Sequence, residues 1–267
     1  MSEGGRLEFS RLAKPWGRRD LPEPFGFADE AIGEIWFERP EPLSDILAKY
    51  LFTGEKLSVQ VHPTPSNSPT GSGKDECWLI TEAREDAILA IGFREDYDTA
   101  TIRAAALDGS ISHMLEWRAA RTNDFLYVPA GTVHAIGPGL TLVEVQQNTD
   151  ITHRLFDYGR DRELNLDEAL ASITTGPHPD HLRLRVSPER QMVLVDGPYF
   201  RLYHLAGDPG RDAALDLQTA VQVIPLAGFC QIGATRIEPG QAGWASTIDG
   251  VDFSASERCL VIAGPRL

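Results

Sequence analysis

Four side chains in this 267-residue chain have the types and spacing to hold a metal ion. In "LSVQVHP" (57–63) Gln60 and His62 stand two apart. On an extended strand they project from one face with Ser58, while Val59 and Val61 take the other. In "GKDECWLI" (73–80) the same alternation groups Lys74, Glu76 and Trp78 and turns Cys77 away, setting Glu76 to face His62 across a hairpin. In "FLYVPAGTVHAIGPG" (125–139) Pro129 and Gly131 fix an unusual backbone path and deliver His134 just after a tight turn. A Q-x-H alone is more often a solvated strand face, and a lone histidine more often structural. Together the four supply two nitrogens and two oxygens with one carboxylate, a set that suits zinc and also admits iron, manganese or nickel.

A third segment, "LTLVEVQQNTDITHRLFDYGR" (140–160), puts Leu142, Glu144 and Gln146 on one strand face and leads through a turn to Asp150 and Arg154. A guanidinium donates two parallel hydrogen bonds, which matches phosphate or carboxylate. By itself Arg154 would be read as a surface ion pair. Beside a metal set it is read as an anion-binding group.

The elements that must position these groups are short, partly alternating runs: "LSVQV", "FLYV", "LTLVEV", "QMVLV", "FRLYHL" and "VQVIPL". Glycine and proline separate them, which indicates a mainly β sandwich or barrel. Three helices are expected: 42–51 with Ser44 as N-cap, 98–109 ending on Gly109, and 165–173 with Asn165 and Glu168 as a capping box. "TTGPHPDH" (174–181) breaks regular structure and marks a connector. The expected organisation is a metal-binding β unit over 1–160, a helical connector over 161–185, and a second β unit over 186–267. The last unit holds "IEPGQAGW" (237–244) but no second P-x-G-x-x-H. Its one histidine, His204, has no partner at ligand spacing, so this unit is expected to pack on the first and cover apolar sheet surface.

A net charge of -14 argues against sequence-independent nucleic-acid binding, so any anionic ligand must meet cations placed locally. Cys77, Cys230 and Cys259 are scattered and odd in number, which speaks against a disulfide framework and for a reducing compartment. The N-terminus lacks an apolar run of signal length, and no stretch approaches eighteen apolar residues. The reading is a cytoplasmic protein without a membrane segment; oligomeric state is not written in the sequence.

The Q-x-H, downstream Glu and P-x-G-x-x-H match the two-part metal signature of the cupin jelly roll. Further, "KPWG" (14–17), "IGEIW" (32–36), "LAKYL" (47–51), the segments quoted above and "NLDEAL" (165–170) occur in an order that resembles the short bacterial form of the type I mannose-6-phosphate isomerases. The resemblance spans roughly 14–170; the C-terminal part follows only the looser pattern of a second cupin-like β unit. It implies a cupin jelly roll (double-stranded β-helix) with one Zn2+ per chain, and a sugar phosphate as the small-molecule partner. The implied reaction interconverts mannose 6-phosphate and fructose 6-phosphate through an enediolate.

Carried onto this sequence, the metal ligands are Gln60, His62, Glu76 and His134. The catalytic groups are Arg154, Lys74, Glu144 and Asp150, and substrate contacts fall on Lys49, Ser58, Lys74 and Arg154. Glu144, Asp150 and a metal-bound hydroxide stay open as the proton-transferring base. Longer relatives carry a histidine before the lysine where this chain has Gly73, so no imidazole there can move a proton. Thr64 and His153 also depart from the family pattern. Two competing readings are a non-catalytic sugar-phosphate-binding cupin and an iron-dependent cupin dioxygenase; Gln60, Glu76, Lys74 and Arg154 speak against the second.

Overall fold

The structure is a computed structural model that describes residues 4–210 and 216–266. Its first thirteen strands are β1 (Gly4–Arg6), β2 (Phe9–Asp20), β3 (Phe27–Phe37), β4 (Ile46–Phe52), β5 (Val59–Val61), β6 (Glu76–Ala83), β7 (Ile88–Phe93), β8 (Leu115–Ala119), β9 (Asp124–Val128), β10 (His134–Ile136), β11 (Leu140–Gln147), β12 (His153–Phe156) and β13 (Arg183–Arg185). A seven-stranded sheet in the order β13-β9-β6-β11-β4-β3-β2 faces a five-stranded sheet, β12-β5-β10-β7-β8. The C-terminal unit adds β14 (Met192–Asp196), β15 (Arg201–Leu205), β16 (Val221–Gly228), β17 (Cys230–Ile232), β18 (Thr235–Ile237), β19 (Gly243–Ala245), β20 (Val251–Asp252) and β21 (Ser256–Ala263). These form a six-stranded sheet, β1-β19-β16-β21-β15-β14, and a three-stranded one, β18-β17-β20. Two pairings run across the divisions expected near 160 and 185. β1 joins β19 of the C-terminal unit, and β13 joins β9 of the first.

Period-two alternation sorts the side chains between layers. From the seven-stranded sheet, Ile35, Tyr50, Phe52, Leu79, Val143 and Val145 point to the C-terminal unit and pack on Leu202, Ile224, Leu260 and Ile262. The C-terminal unit does cover this apolar face. The opposite set, Trp36, Lys49, Glu144 and Trp78, lies side by side across β3, β4, β11 and β6 in one register row. That row forms the floor of the interior shared with the five-stranded sheet. Helices α1 (Thr99–Asp108), α2 (Ile111–Met114) and α3 (Leu166–Ser172) cover the far side of the five-stranded sheet through Ile102, Ala105, Ile111 and Ala169.

α1 has the expected form, with Asp98 accepting from Thr101 N–H at 2.8 Å and Gly109 left-handed at φ 82°. The helix expected over 42–51 is not formed. A single 3-10 turn over Glu41–Leu43 leads instead into β4, whose seven residues are all buried between β3 and β11. A strand covered on both faces loses its polar alternation, and its apolar run then imitates a helical one. Nor does Asn165 make the expected capping box. Its side chain does not cap α3, while its backbone N–H donates to the Arg154 carbonyl at 3.0 Å and ties the helix to β12.

The stretch 57–80 is also not a hairpin: β5 lies in the five-stranded sheet and β6 in the seven-stranded one. His62 and Glu76 therefore meet across the interior between two sheets rather than along a ladder.

Candidate metal centre and active-site cavity

His62 leaves the end of β5 and Glu76 opens β6. His134 opens β10, where it pairs in register with Gln60. The turn before His134 is fixed from three sides. Gly131 takes φ +87°, and a Cβ there would come 2.8 Å from the Ser172 carbonyl oxygen. Its N–H donates to the His62 carbonyl at 2.9 Å. Asp75, on the opposite face from Glu76, accepts from Tyr127 Oη and from Ala130 N–H. One residue of "KDECW" thus faces the site while its neighbour clamps the turn that supplies the second histidine.

His62, Glu76 and His134 are buried, and one ligand atom from each lies within 4.8 Å of the others. His62 Nδ1–H donates to the Ile151 carbonyl at 2.9 Å, and His134 Nδ1–H donates to the Thr132 carbonyl at 3.0 Å. A carbonyl can only accept, so both rings carry their proton on Nδ1 and present bare Nε2 atoms. Those atoms face the two oxygens of one carboxylate, His62 to Glu76 Oε2 at 3.3 Å and His134 to Glu76 Oε1 at 3.5 Å. Burial keeps both imidazoles neutral, lowering His62 and taking His134 down to about 3. Burial acts to raise Glu76, but the ammonium of Lys74 beside it holds it well below the usual carboxylate range. Neutral imidazoles and an ionised carboxylate are the forms that bind a divalent cation, so these residues fit one.

Gln60 stands beside them in another role. Its Nε2 is 3.1 Å from His134 Nε2, and its Oε1 accepts from Ser58 Oγ at 2.9 Å. It would give a ligand oxygen only after a half-turn of its amide. Ser58, expected against substrate, is buried behind Gln60 and does not line the cavity.

The cavity, about 240 Å3, is lined by Gln60, Lys49, Lys74, Glu76, Glu144, Asp150 and Arg154 of the expected residues. Lys74 Nζ donates to Glu76 at 2.5 Å and to His62 Nε2 at 2.9 Å, and lies 3.7 Å from Glu144. Lys49 Nζ bridges Glu144 at 3.0 Å and Glu34 at 3.5 Å. Burial and the charge of Glu76 push Glu144 up to about 6 against the pull of the two lysines. Arg154 lies opposite Gln60 in the β12–β5 ladder, and its Nε has no protein partner. Asp150 is exposed at the rim, apart from the buried cluster. Where relatives carry the histidine before Lys74, a Cβ at Gly73 would come 2.7 Å from Pro65 Cδ.

Sequence reasoning gave no role to Lys14, Trp16, Glu34 or Arg162, which also line the cavity. Three of them, Lys14, Trp16 and Glu34, belong to "KPWG" and "IGEIW".

No family model matches the chain. It is 33% identical over 249 residues to "Mannose-6-phosphate isomerase" of Streptococcus mutans, covering 76% of this chain and 78% of that protein. It is 32% identical over 273 residues to "Probable mannose-6-phosphate isomerase GmuF" of Bacillus subtilis, covering 93% of this chain and 81% of the relative. The chain belongs to the mannose-6-phosphate isomerase family.

Solved structures agree in fold across the whole length. The mannose 6-phosphate isomerase from Bacillus subtilis superposes with a TM-score of 0.75 at 22% identity, covering 98% of this chain and 99% of that one. A single-site mutant of phosphomannose isomerase from Salmonella typhimurium gives 0.72 at 15% identity, covering 98% and 100%. The mainly antiparallel β architecture is the cupin fold of the mannose-6-phosphate isomerases. Within this family member, the buried His-Glu-His cluster is the one group of metal-ligating side chains of its kind among the described residues.

Proposed function

We propose that this chain is an aldose–ketose isomerase that interconverts mannose 6-phosphate and fructose 6-phosphate with a bound zinc ion. The observation that carries the proposal is the convergence of the unprotonated Nε2 atoms of His62 and His134 on the ionised Glu76, which lines one cavity together with the Lys74–Glu144–Lys49 chain. His62, His134 and Glu76 would hold the metal, with Gln60 as fourth ligand once its amide turns. The ion supplies positive charge where negative charge grows on the sugar oxygens as a proton leaves carbon.

The chain's own residues do the rest. Lys74 donates to an oxygen of the reacting carbons, and Arg154, whose Nε is unpartnered, receives an anionic group of the sugar phosphate. Glu144 moves the proton between C1 and C2. It lies on the cavity floor with an affinity for protons near that of neutral water's working range, whereas Asp150 sits at the rim. Deuterium exchange at C1 and C2 of bound sugar separates the two: Glu144→Gln stops it, Asp150→Asn does not. A coupled assay tests the function itself. Zinc-loaded protein that binds mannose 6-phosphate without forming fructose 6-phosphate is a sugar-phosphate-binding cupin, and the proposal then fails.

A further inference from the structure

"KPWG" breaks the edge of the seven-stranded sheet. Ala13 and Arg18 both pair with Ile32 of β3, so Lys14, Pro15, Trp16 and Gly17 form a four-residue bulge in β2. Bulges re-aim side chains beside active sites, and proline is tolerated where the ladder needs no N–H. The bulge is tied down by Gly54 and Glu55, whose N–H groups donate to the Trp16 carbonyl at 2.8 and 3.1 Å. Across from it, Gly33 leaves room for what the bulge turns inward: a Cβ there would sit 2.5 Å from Lys14 Cβ and 2.9 Å from the Trp16 ring. "IGEIW" then supplies the rest of the seat. Lys14 Nζ is 3.1 Å from Glu34 and 6.0 Å from the Trp36 ring centroid, and Trp36 Nε1–H donates to Glu34 at 2.8 Å.

Lys14 differs from Lys49, Lys74 and Arg162 and joins Arg154 as a cavity cation able to meet an anion. Lys49 and Lys74 are 7% and 6% exposed and paired internally, and Arg162 gives two hydrogen bonds to Asp157. The Lys14 side chain is 29% exposed, and its one ion pair among the described residues is to Glu34, which Lys49 also contacts, so its ammonium can still donate to a further anion. A cation held in place at a cavity wall, in a chain of net charge -14, has the chemistry to receive an anion.

We infer that Lys14 is a specificity-determining contact for the phosphate group of the substrate, positioned by Glu34, Trp36 and the bulge. The substrate's identity rests on the function proposed above; the anion-binding role does not. Lys14→Met keeps the packed stem and removes the charge. Calorimetry with inorganic phosphate, on zinc-loaded protein, is expected to show about tenfold weaker binding in Lys14→Met and near-normal binding in Lys14→Arg. For mannose 6-phosphate, KM rises by a similar factor while kcat changes less than twofold, since the charge touches the group remote from the reacting carbons. Unchanged phosphate affinity in a folded Lys14→Met overturns the inference, as does loss of kcat with KM intact. Wild-type protein that binds phosphate through Lys14 but does not turn over mannose 6-phosphate refutes the proposed function alone.

Discussion

Between the seven- and five-stranded sheets the chain buries Glu34, Lys49, His62, Lys74, Glu76, His134 and Glu144, whereas between the six- and three-stranded sheets it buries Leu205, Val221, Val223, Ile237 and Val261. The C-terminal unit also has a buried histidine, and it shows the contrast in one residue. His204 Nδ1–H donates to the Arg190 carbonyl and its Nε2 accepts from Arg258 Nε at 3.1 Å, so both nitrogens are satisfied. In the first unit the unprotonated Nε2 atoms of His62 and His134 instead converge on the two oxygens of one carboxylate, Glu76, as a ligand set would. Buried ion pairs add little net stability, because desolvation offsets attraction, while apolar burial stabilises at roughly 25 cal/mol per Å2. The difference teaches that one interior is organised for chemistry and the other holds the molecule together.

Four predictions probe that division, from the largest expected effect down. Glu76→Gln removes the carboxylate that faces both Nε2 atoms, and kcat/KM is expected to fall by about a thousandfold or more, with zinc content measured in parallel. Leu205→Ala opens the apolar interior and is expected to destabilise by about 3 kcal/mol in urea unfolding, with kcat per folded molecule unchanged. A large loss of kcat there would erase the division of labour.

Glu144→Gln reverses the pattern, with a rate loss of about a hundredfold and no loss of stability. The sign follows from its raised affinity for protons. With a folded value of about 6 against 4.5 unfolded, ionising Glu144 disfavours the fold, and the penalty appears as pH rises through 4.5 to 6. Metal-free wild type should lose up to about 2 kcal/mol across that window, and the variant should not.

His178 supplies the smallest effect. Burial takes it down to about 4, its Nε2–H donates to the Tyr127 carbonyl, and it is not one of the clustered metal-ligating residues. Its neutral form therefore favours the fold above pH 6.5, and this is lost as pH falls towards 4. His178→Gln should flatten that acid limb by about 1–2 kcal/mol, allowing for solvent screening.

What could be read from the sequence was local. Period-two alternation placed Glu76 and Trp78 on one face and Cys77 on the other, and likewise Glu144 beside Val143 and Val145. The turn chemistry of Pro129 and Gly131 pointed to His134. Long-range pairing was hidden. The 57–80 stretch sends its two strands to different sheets, which no local pattern encodes. β4 lost its alternation by being buried on both faces, so Lys49 was read on a helix. Lys14 stayed without a role because a bulge, which departs from period two, brings it to the cavity, whereas Glu34 reaches the cavity by ordinary alternation with Trp36 on β3.

The central claim is that a divalent ion held by His62, Glu76 and His134 makes this cavity an isomerase. Its most direct test is conversion of mannose 6-phosphate to fructose 6-phosphate after chelation and after return of zinc, in wild type and in His134→Ala. The account predicts that chelated wild type is inactive and recovers with stoichiometric zinc, while His134→Ala stays inactive at the same zinc concentration. Full activity in the chelated protein, or in His134→Ala, would contradict it.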